Sequence, residues 1–355
     1  VEFDGIHGLR QEIDKSLAAF FERESLYLGR VGSELEPVGK ALGHFLLDSG
    51  KRLRPLFAAI GHIGAGGEIT PESISALSAL ELVHVCALIH DDVMDGSDTR
   101  RGAPAIHKQF ETLHHDEKLT GSPSQFGIAS AILLGDLALI WAAKMLHESG
   151  MNPKHILQAL PVYDEMRVEL MAGQYLDIYE QALASESIER SLKVARYKSG
   201  KYSIERPLHF GAALAPAALP GVYATYSRYG LPLGEAFQLR DDVIGVFGDP
   251  KETGKPAGDD LREGKRTVLI AATLNASTAA QRAAFDQYFG KPDLDEAGVA
   301  TLREIIIETG ALARVESLIE EMTFNAHEAL KSGEISAMST TLLELMAHAA
   351  TKRNA

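Results

Sequence analysis

The sequence predicts an all-α protein, and three observations carry that prediction. Apolar residues recur at helical spacing, as in Ala76-Ala79-Leu80-Val83-Ala87, which steps i, i+3, i+4, i+7, i+11. No stretch sustains the two-residue alternation of a half-buried strand. Helix stops stand at Gly50, Gly66-Gly67, Gly150 to Pro153, Pro220-Gly221 and Gly290 to Pro292. Between them, long helices are expected at roughly Pro71 to Asp95, Gln125 to Ser149, Pro153 to Ala182 and Pro232 to Phe247, with shorter ones after about 265. No linker, composition shift or internal repeat divides residues 1–355, so a single all-α domain is expected.

The 355 residues carry 49 Asp+Glu against 35 Lys+Arg, a net charge of −14, with 45% hydrophobic content. Such a balance fits an acidic globular protein and argues against broad nucleic-acid or anionic-membrane binding, which needs a basic surface field. The only cysteine is Cys86, so no intrachain disulfide forms and a cytoplasmic location is expected. Val1 to Arg10 lacks the basic start and apolar run of a signal peptide. The apolar stretch Phe126 to Ala143 carries Asp136 at its centre, which would cost about 2.5–3.5 kcal/mol in a bilayer, so a buried core helix is expected and no transmembrane segment.

The first chemical constellation is Asp91-Asp92-Val93-Met94-Asp95, at the C-terminal end of an apolar run. Asp91 and Asp95 are four apart and share a helix face, where they repel each other and oppose the helix dipole. A cation relieves both costs. Magnesium suits hard oxygen donors and takes one or two carboxylates, waters and a substrate phosphate. For one such motif, a solvated acidic helix end is an equal reading. The second cluster, Phe237-Gln238-Leu239-Arg240-Asp241-Asp242, changes the balance, because two such helix ends facing each other would line an apolar-floored cavity with carboxylates. Compact basic groups accompany them: Lys51, Arg52 and Arg54; Arg100 and Arg101; Lys198 and Lys201; Lys255 and Lys265. In an acidic chain, this grouping of both signs beside Gly-rich turns points to a polyphosphate held by Arg forks, Lys charges and bridging metal.

Other chemistries lack their motifs. Gly248 to Lys255 and Gly258 to Lys265 miss the P-loop spacing and its Ser/Thr. His114-His115-Asp116-Glu117 is expected in a solvated polar loop. There is no HExxH, CxxC, GxSxG elbow or GxGxxG before a helix.

Taken in order, these motifs resemble those of the trans-isoprenyl diphosphate synthases, and within them the bacterial geranylgeranyl diphosphate synthases. The resemblance runs from Gly50-Lys51-Arg52-Leu53-Arg54-Pro55 through Lys265-Arg266-Thr267. Asp91 to Asp95 is similar to the first aspartate-rich motif, followed by Arg100-Arg101-Gly102. Gln174 with Asp177 resembles the family's Gly-Gln-x-x-Asp, Lys198-Ser199 its Lys-Thr, and Phe237 to Asp242 its second aspartate-rich motif. Gly254-Lys255 to Gly264-Lys265 is similar to the loop that folds over bound diphosphate. Two departures stand out: Gly245 occupies the place of the second motif's third Asp, and Ser199 that of a Thr.

The resemblance implies a single-domain helical bundle around a deep central cavity, working as a homodimer on isopentenyl diphosphate and allylic diphosphates. It implies two or three Mg²⁺ ions on Asp91, Asp95 and Asp241, with Asp92 and Asp242 in support. Lys198, Lys255, Arg100 and Lys265 would hold the allylic diphosphate, and Lys51, Arg54, His84 and Arg101 isopentenyl diphosphate. Gln174 and Asp177 face the same cavity; Gln238 and Ser199 orient the reacting cation. A tail growing toward the N-terminal end of the first-motif helix would pass the small Cys86 and Ala87, with a floor at Val83 or Trp141, which implies a product of about twenty carbons. A class I terpene cyclase or a head-to-head synthase shares the cavity type, but neither needs the isopentenyl diphosphate site that Lys51, Arg54 and Arg101 supply. Intact acidic motifs count against a non-catalytic partner subunit.

Overall fold

The computed structural model describes residues 5–48, 50–249, 258–331 and 333–351. They form α1 (Gly5–Val31), α2 (Glu36–Leu47), α3 (Leu53–Gly64), α4 (Pro71–Asp95), a two-residue hairpin of β1 (Thr99–Arg100) and β2 (Ala103–Pro104), α5 (Ile106–Asp116), α6 (Pro123–His147), α7 (Pro153–Ala182), α8 (Ile188–Val194), a π-helical segment (Ala195–Glu205), α9 (Arg206–Ala213) and α10 (Pro220–Phe247). Six more helices follow among the described residues: α11 (Asp259–Glu263), α12 (Val268–Ala276), α13 (Ala279–Tyr288), α14 (Glu296–Glu308), α15 (Ala311–Lys331) and α16 (Ala337–Thr351). The all-α expectation holds among the described residues, apart from the one short hairpin.

Residues group into two compact units: Val1–Leu160 with Phe210–Ala217, and Pro161–His209 with Ala218–Ala355. In the first unit, α1 buries Leu9, Ile13, Leu17 and Phe20, one stripe at helical spacing. Around it α3 is buried almost throughout, and α4 buries Ala76, Leu77, Ala79, Leu80, Val83 and Cys86. The start of α4 follows from its sequence. Thr70 accepts from Ser73 N (3.2 Å) while Ser73 Oγ accepts from Thr70 N (2.8 Å), a capping box ahead of Pro71. α6 begins the same way, with Ser122 capping Gln125 N before Pro123. It buries Ala131, Leu134, Ala138, Trp141 and Ala142, but its other face exposes Phe126, Ile132, Leu133 and Ile140. The expected core helix is thus buried on one side. α4 and α6 are long and apolar enough to cross a membrane by length and composition, with 72% and 39% of their most apolar windows buried in the protein.

The second unit packs α10 against the π-helical segment, α15 and α16. Its core joins Leu239, Val243 and Val246 of α10 to Val268 and Leu269 of α12, Phe285, Leu302, Ile306, Val315 and Ile319. Arg240 forks onto both Glu316 oxygens at 2.7 Å and donates to Thr351 O at 3.0 Å, and Tyr229 Oη donates to Leu343 O at 2.7 Å.

Three local expectations are corrected. Pro220-Gly221 opens a helix rather than ending one: proline suits the first turn, where its missing N–H is not needed, and Pro232 lies inside α10. His114 is not in a solvated loop: it is buried near the end of α5, with Nε2 3.2 Å from Thr120 O and its ring 5.3 Å from that of Phe126. Arg100 and Arg101 sit at a small hairpin, invisible to alternation because each strand has two residues.

Candidate active site

α4 ends at Asp95, with Gly96 following in the left-handed conformation at φ 66°. The three aspartates differ in exposure. Asp92 is fully buried and accepts from Arg100 Nε at 2.9 Å and from Nη2, which also lies 3.8 Å from Asp91 Oδ2; Asp91 and Asp95 are half-buried. Burial works against the charge of Arg100, but Asp92, Asp91 and Asp95 outweigh it and raise its pKa. Arg100 is therefore the counter-charge of the first motif.

The basic residues of this unit cluster around His84. Burial first, then the charges of Arg54, Arg101, Arg100 and Arg52, hold His84 well below its ordinary pKa, so the imidazole is neutral at physiological pH. Arg101 donates to the Phe45 and Asp48 carbonyls at 3.4 Å and stacks 5.6 Å from the Phe45 ring. Lys51 is exposed and Arg54 buried. Both Arg52 (φ 54°) and Arg101 (φ 54°) adopt the left-handed backbone, an uncommon conformation for side-chain-bearing residues that collects at functional turns. Arg52 has a structural task. Its guanidinium binds Glu81 at 3.0 Å and Asp14 at 2.7 Å, which fixes the turn presenting Lys51 and Arg54. Nothing in the run Lys51-Arg52-Leu53-Arg54 distinguishes the pinned arginine from its neighbours.

In the second unit, Lys198 Nζ lies 2.6 Å from Asp177 Oδ2, which brings the Gln174/Asp177 and Lys198/Ser199 motifs together. The backbone makes this possible. A Cβ on Gly173 would stand 2.3 Å from Lys198 N, so only glycine lets α7 approach the π-helical segment so closely. That segment, Ala195–Glu205, carries Lys198 and Ser199, and π turns are frequent at functional sites.

Asp241 is half-buried and Asp242 buried, with Gln238 Nε2 donating to Asp242 Oδ1 at 2.7 Å. Burial pushes the Asp242 carboxyl well above its usual range; the Gln238 hydrogen bond opposes this, while the charges of Asp260, Asp241 and Asp177 add to it. Asp260 is the residue that sequence reasoning missed. A Cβ on Gly245 would lie 2.0 Å from Asp260 Oδ2, so the Asp260 carboxylate fills the space a third motif aspartate would use. Lys265 Nζ stands 3.5 Å from Asp260 Oδ1 and 2.7 Å from Glu263 Oε2. The pair Asp259-Asp260, five residues before Lys265, was the available signal. Lys255 lies outside the described residues.

These carboxylates fit magnesium: hard oxygens crowded enough to disfavour one another without a cation. Among the described residues, no three His, Cys, Asp or Glu side chains form a closed metal cage. Mg²⁺ does not require one, since it retains waters and takes substrate phosphate oxygens.

Along the tail path, Val83 and Cys86 are fully buried and Ala87 is half-buried. Cys86 Sγ lies 3.7 Å from His90 Nδ1, and burial, with the Asp136 charge, pushes its thiol up to about 12. Trp141 is 4% exposed, edge-on to Phe20 and Phe21 at 6.3 Å.

The polyprenyl synthetase family profile matches residues 36–306, and the chain belongs to that family of trans-prenyl diphosphate synthases. A geranylgeranyl pyrophosphate synthase of Corynebacterium glutamicum, solved with isoprenyl diphosphate and magnesium, is 37% identical over 99% of this chain and 100% of its own, with a TM-score of 0.94. The geranylfarnesyl diphosphate synthase of Aeropyrum pernix is 32% identical over 85% of this chain and 90% of its own. A geranylgeranyl diphosphate synthase of Sulfolobus acidocaldarius is 30% identical over 69% of each.

Proposed function

We propose that this chain is a Mg²⁺-dependent trans-prenyltransferase that condenses isopentenyl diphosphate with dimethylallyl, geranyl or farnesyl diphosphate, ending at geranylgeranyl diphosphate. The observation that carries this reading is a shared design in two carboxylate sets. In each, the second aspartate is buried and tied down, Asp92 by Arg100 and Asp242 by Gln238, while Asp91 and Asp241 stay half-open to a ligand. Family membership across residues 36–306 supports a single prenyl synthase domain.

Asp91, Asp95 and Asp241 would hold two or three Mg²⁺ ions, with Asp92 and Asp242 supporting them and Asp260 standing in for the aspartate absent at Gly245. When bound, these ions take up charge developing on the departing diphosphate. Lys198, Arg100, Lys265 and Lys255 grip that diphosphate, and Asp177 and Gln174 orient Lys198. The allylic C–O bond breaks with its electron pair going to diphosphate. The double bond of isopentenyl diphosphate then attacks the allylic cation, and the departing diphosphate accepts the proton lost as the new double bond forms. Lys51, Arg54, Arg101 and His84 hold isopentenyl diphosphate. A neutral His84 donates a hydrogen bond without adding to the repulsion among the arginines. Ser199 and Gln238 turn their dipoles toward the cation.

Relatives named for different product lengths leave the length of this chain's product to its own residues. The small Ala87, with no aromatic beside it on α4, supports passage of the tail to a floor at Val83 or Trp141. A homodimer is supported by apolar residues left exposed on α6 (Ile132, Leu133, Ile140) and on α7 (Val168, Met171, Tyr175). The lone, buried Cys86 supports a cytoplasmic location. Asp91→Ala and Asp241→Ala test the core of the reading: each should lower kcat by about 10²–10³ with helical content unchanged. Unaltered turnover in both would overturn it.

A further inference from the structure

A π-helical run as long as Ala195–Glu205 is rare, so contacts from outside must hold its register. The bond that closes it is made by Arg206, whose N–H donates to Lys201 O five residues back. The side chains of the same two residues meet on a single carboxylate of α7. Arg206 forks onto Glu169, Nε to Oε2 at 2.7 Å and Nη2 to Oε1 at 2.9 Å, and Lys201 Nζ donates to the same Oε1. Positions five apart in an α-helix diverge by about 140°, so a shared acceptor favours the wider turn. None of these three side chains is more than 14% exposed. Burial works against the charge of Glu169, but its hydrogen bonds to Arg206 and Lys201 outweigh it and lower its pKa, so the carboxylate is ionised. Two other ion pairs touch the segment's ends, Arg206 with Glu165 and Arg196 with Glu235. Glu165 is 57% and Arg196 51% exposed, and solvent screens such pairs.

Glu169 also belongs to the face of α7 that meets Lys198. Glu169, Gly173 and Asp177 follow one another at four-residue steps and form one stripe. Asp177 takes Lys198 Nζ, Gly173 admits the backbone at Lys198 N, and Glu169 takes the far end of the segment. Lys201, which sequence groups with Lys198, is engaged by this stripe. We propose that Glu169 is a positioning residue for prenyl transfer: through Lys201 and Arg206 it locks the π register that presents Lys198 and Ser199 to the allylic substrate. The substrate in this statement rests on the proposed activity, whereas the lock does not.

Crystal structures of Glu169→Gln and Lys201→Met test the lock, and steady-state kinetics with farnesyl and isopentenyl diphosphates tests its consequence. Gln retains a hydrogen-bonding side chain but removes the charge that gathers the two cations. Arg206 N–H should move from Lys201 O to Tyr202 O, the α-helical acceptor. The KM for farnesyl diphosphate should rise about tenfold or more, since small misplacements of an orienting group are costly, while the KM for isopentenyl diphosphate stays at its parent value. A merely structural loss would raise both constants or neither. Lys201→Met leaves Glu169 paired with Arg206, should shift both readouts the same way, and serves if breaking the buried pair keeps Glu169→Gln from folding. Retention of the Arg206–Lys201 bond in every folded variant, an unchanged farnesyl diphosphate KM, or equal rises for the two substrates overturns the inference. A parent enzyme without turnover would sink the catalytic reading and leave the crystallographic result on the lock intact.

Discussion

Gly245 and Asp260 show what the sequence reveals at the scale of single residues and what it hides. The missing third aspartate of the second motif is legible at Gly245, but its replacement comes from fifteen residues downstream, and only the fold brings Asp260 Oδ2 to 2.0 Å from the place of a Gly245 Cβ. Restoring the family residue should therefore harm this protein. Gly245→Asp puts two carboxylates in one space, an overpacking that typically costs about 1–3 kcal/mol. The variant should lose thermal stability and require more Mg²⁺ for half-maximal activity. Adding Asp260→Gly should recover both, and failure of this swap would show that Asp260 does not take the aspartate's place. Gln238 was read from sequence as facing the reacting cation, whereas the fold has it donate to Asp242, four residues on along the same helix. The tasks of Arg52 and Arg100 were not legible either, because a basic run does not say which guanidinium turns inward to Glu81 or Asp92.

Long elements were easiest to read: Pro71 to Asp95 and Pro153 to Ala182 stand as expected, and α6 runs Pro123–His147 where Gln125 to Ser149 was expected, because Ser122 caps it two residues earlier. The π-helical segment was not legible, since its extra residue per turn answers to tertiary packing rather than to local composition. That packing is testable at Gly173. Ala in place of glycine normally favours a helix by about 1 kcal/mol, yet here its Cβ would meet Lys198 N at 2.3 Å. Gly173→Ala should displace the segment bearing Lys198 and Ser199 and raise KM for the allylic substrate about tenfold or more, with far-UV circular dichroism unchanged. An unchanged KM would separate the π segment from substrate binding. On α4, Ala87→Phe should shorten the product below twenty carbons by mass analysis; an unchanged product would refute the tail path.

For the molecule as a whole, the helical class, the order of motifs and the acidic charge were all readable from sequence, whereas its acid response comes from burial. Burial holds His62, His84, His107 and His209 below their ordinary pKa, His209 at about 4. Between the folded and unfolded values the unfolded chain binds more protons, so stability rises with pH. The contribution is complete above about 6.5 and is lost as pH falls toward 4; His209 alone supplies about 3 kcal/mol at most. Tm should drop between pH 7 and 5, and His209→Gln should flatten that slope; a level Tm in both proteins would contradict the assignment. The central claim, that this chain alone builds a prenyl chain, is tested most directly by incubating the purified protein with isopentenyl and farnesyl diphosphates in Mg²⁺ and identifying products by mass. Geranylgeranyl diphosphate should form, vanish with EDTA and return with Mg²⁺. Release of farnesol or a cyclic hydrocarbon without elongation, or no turnover at all, would contradict the account.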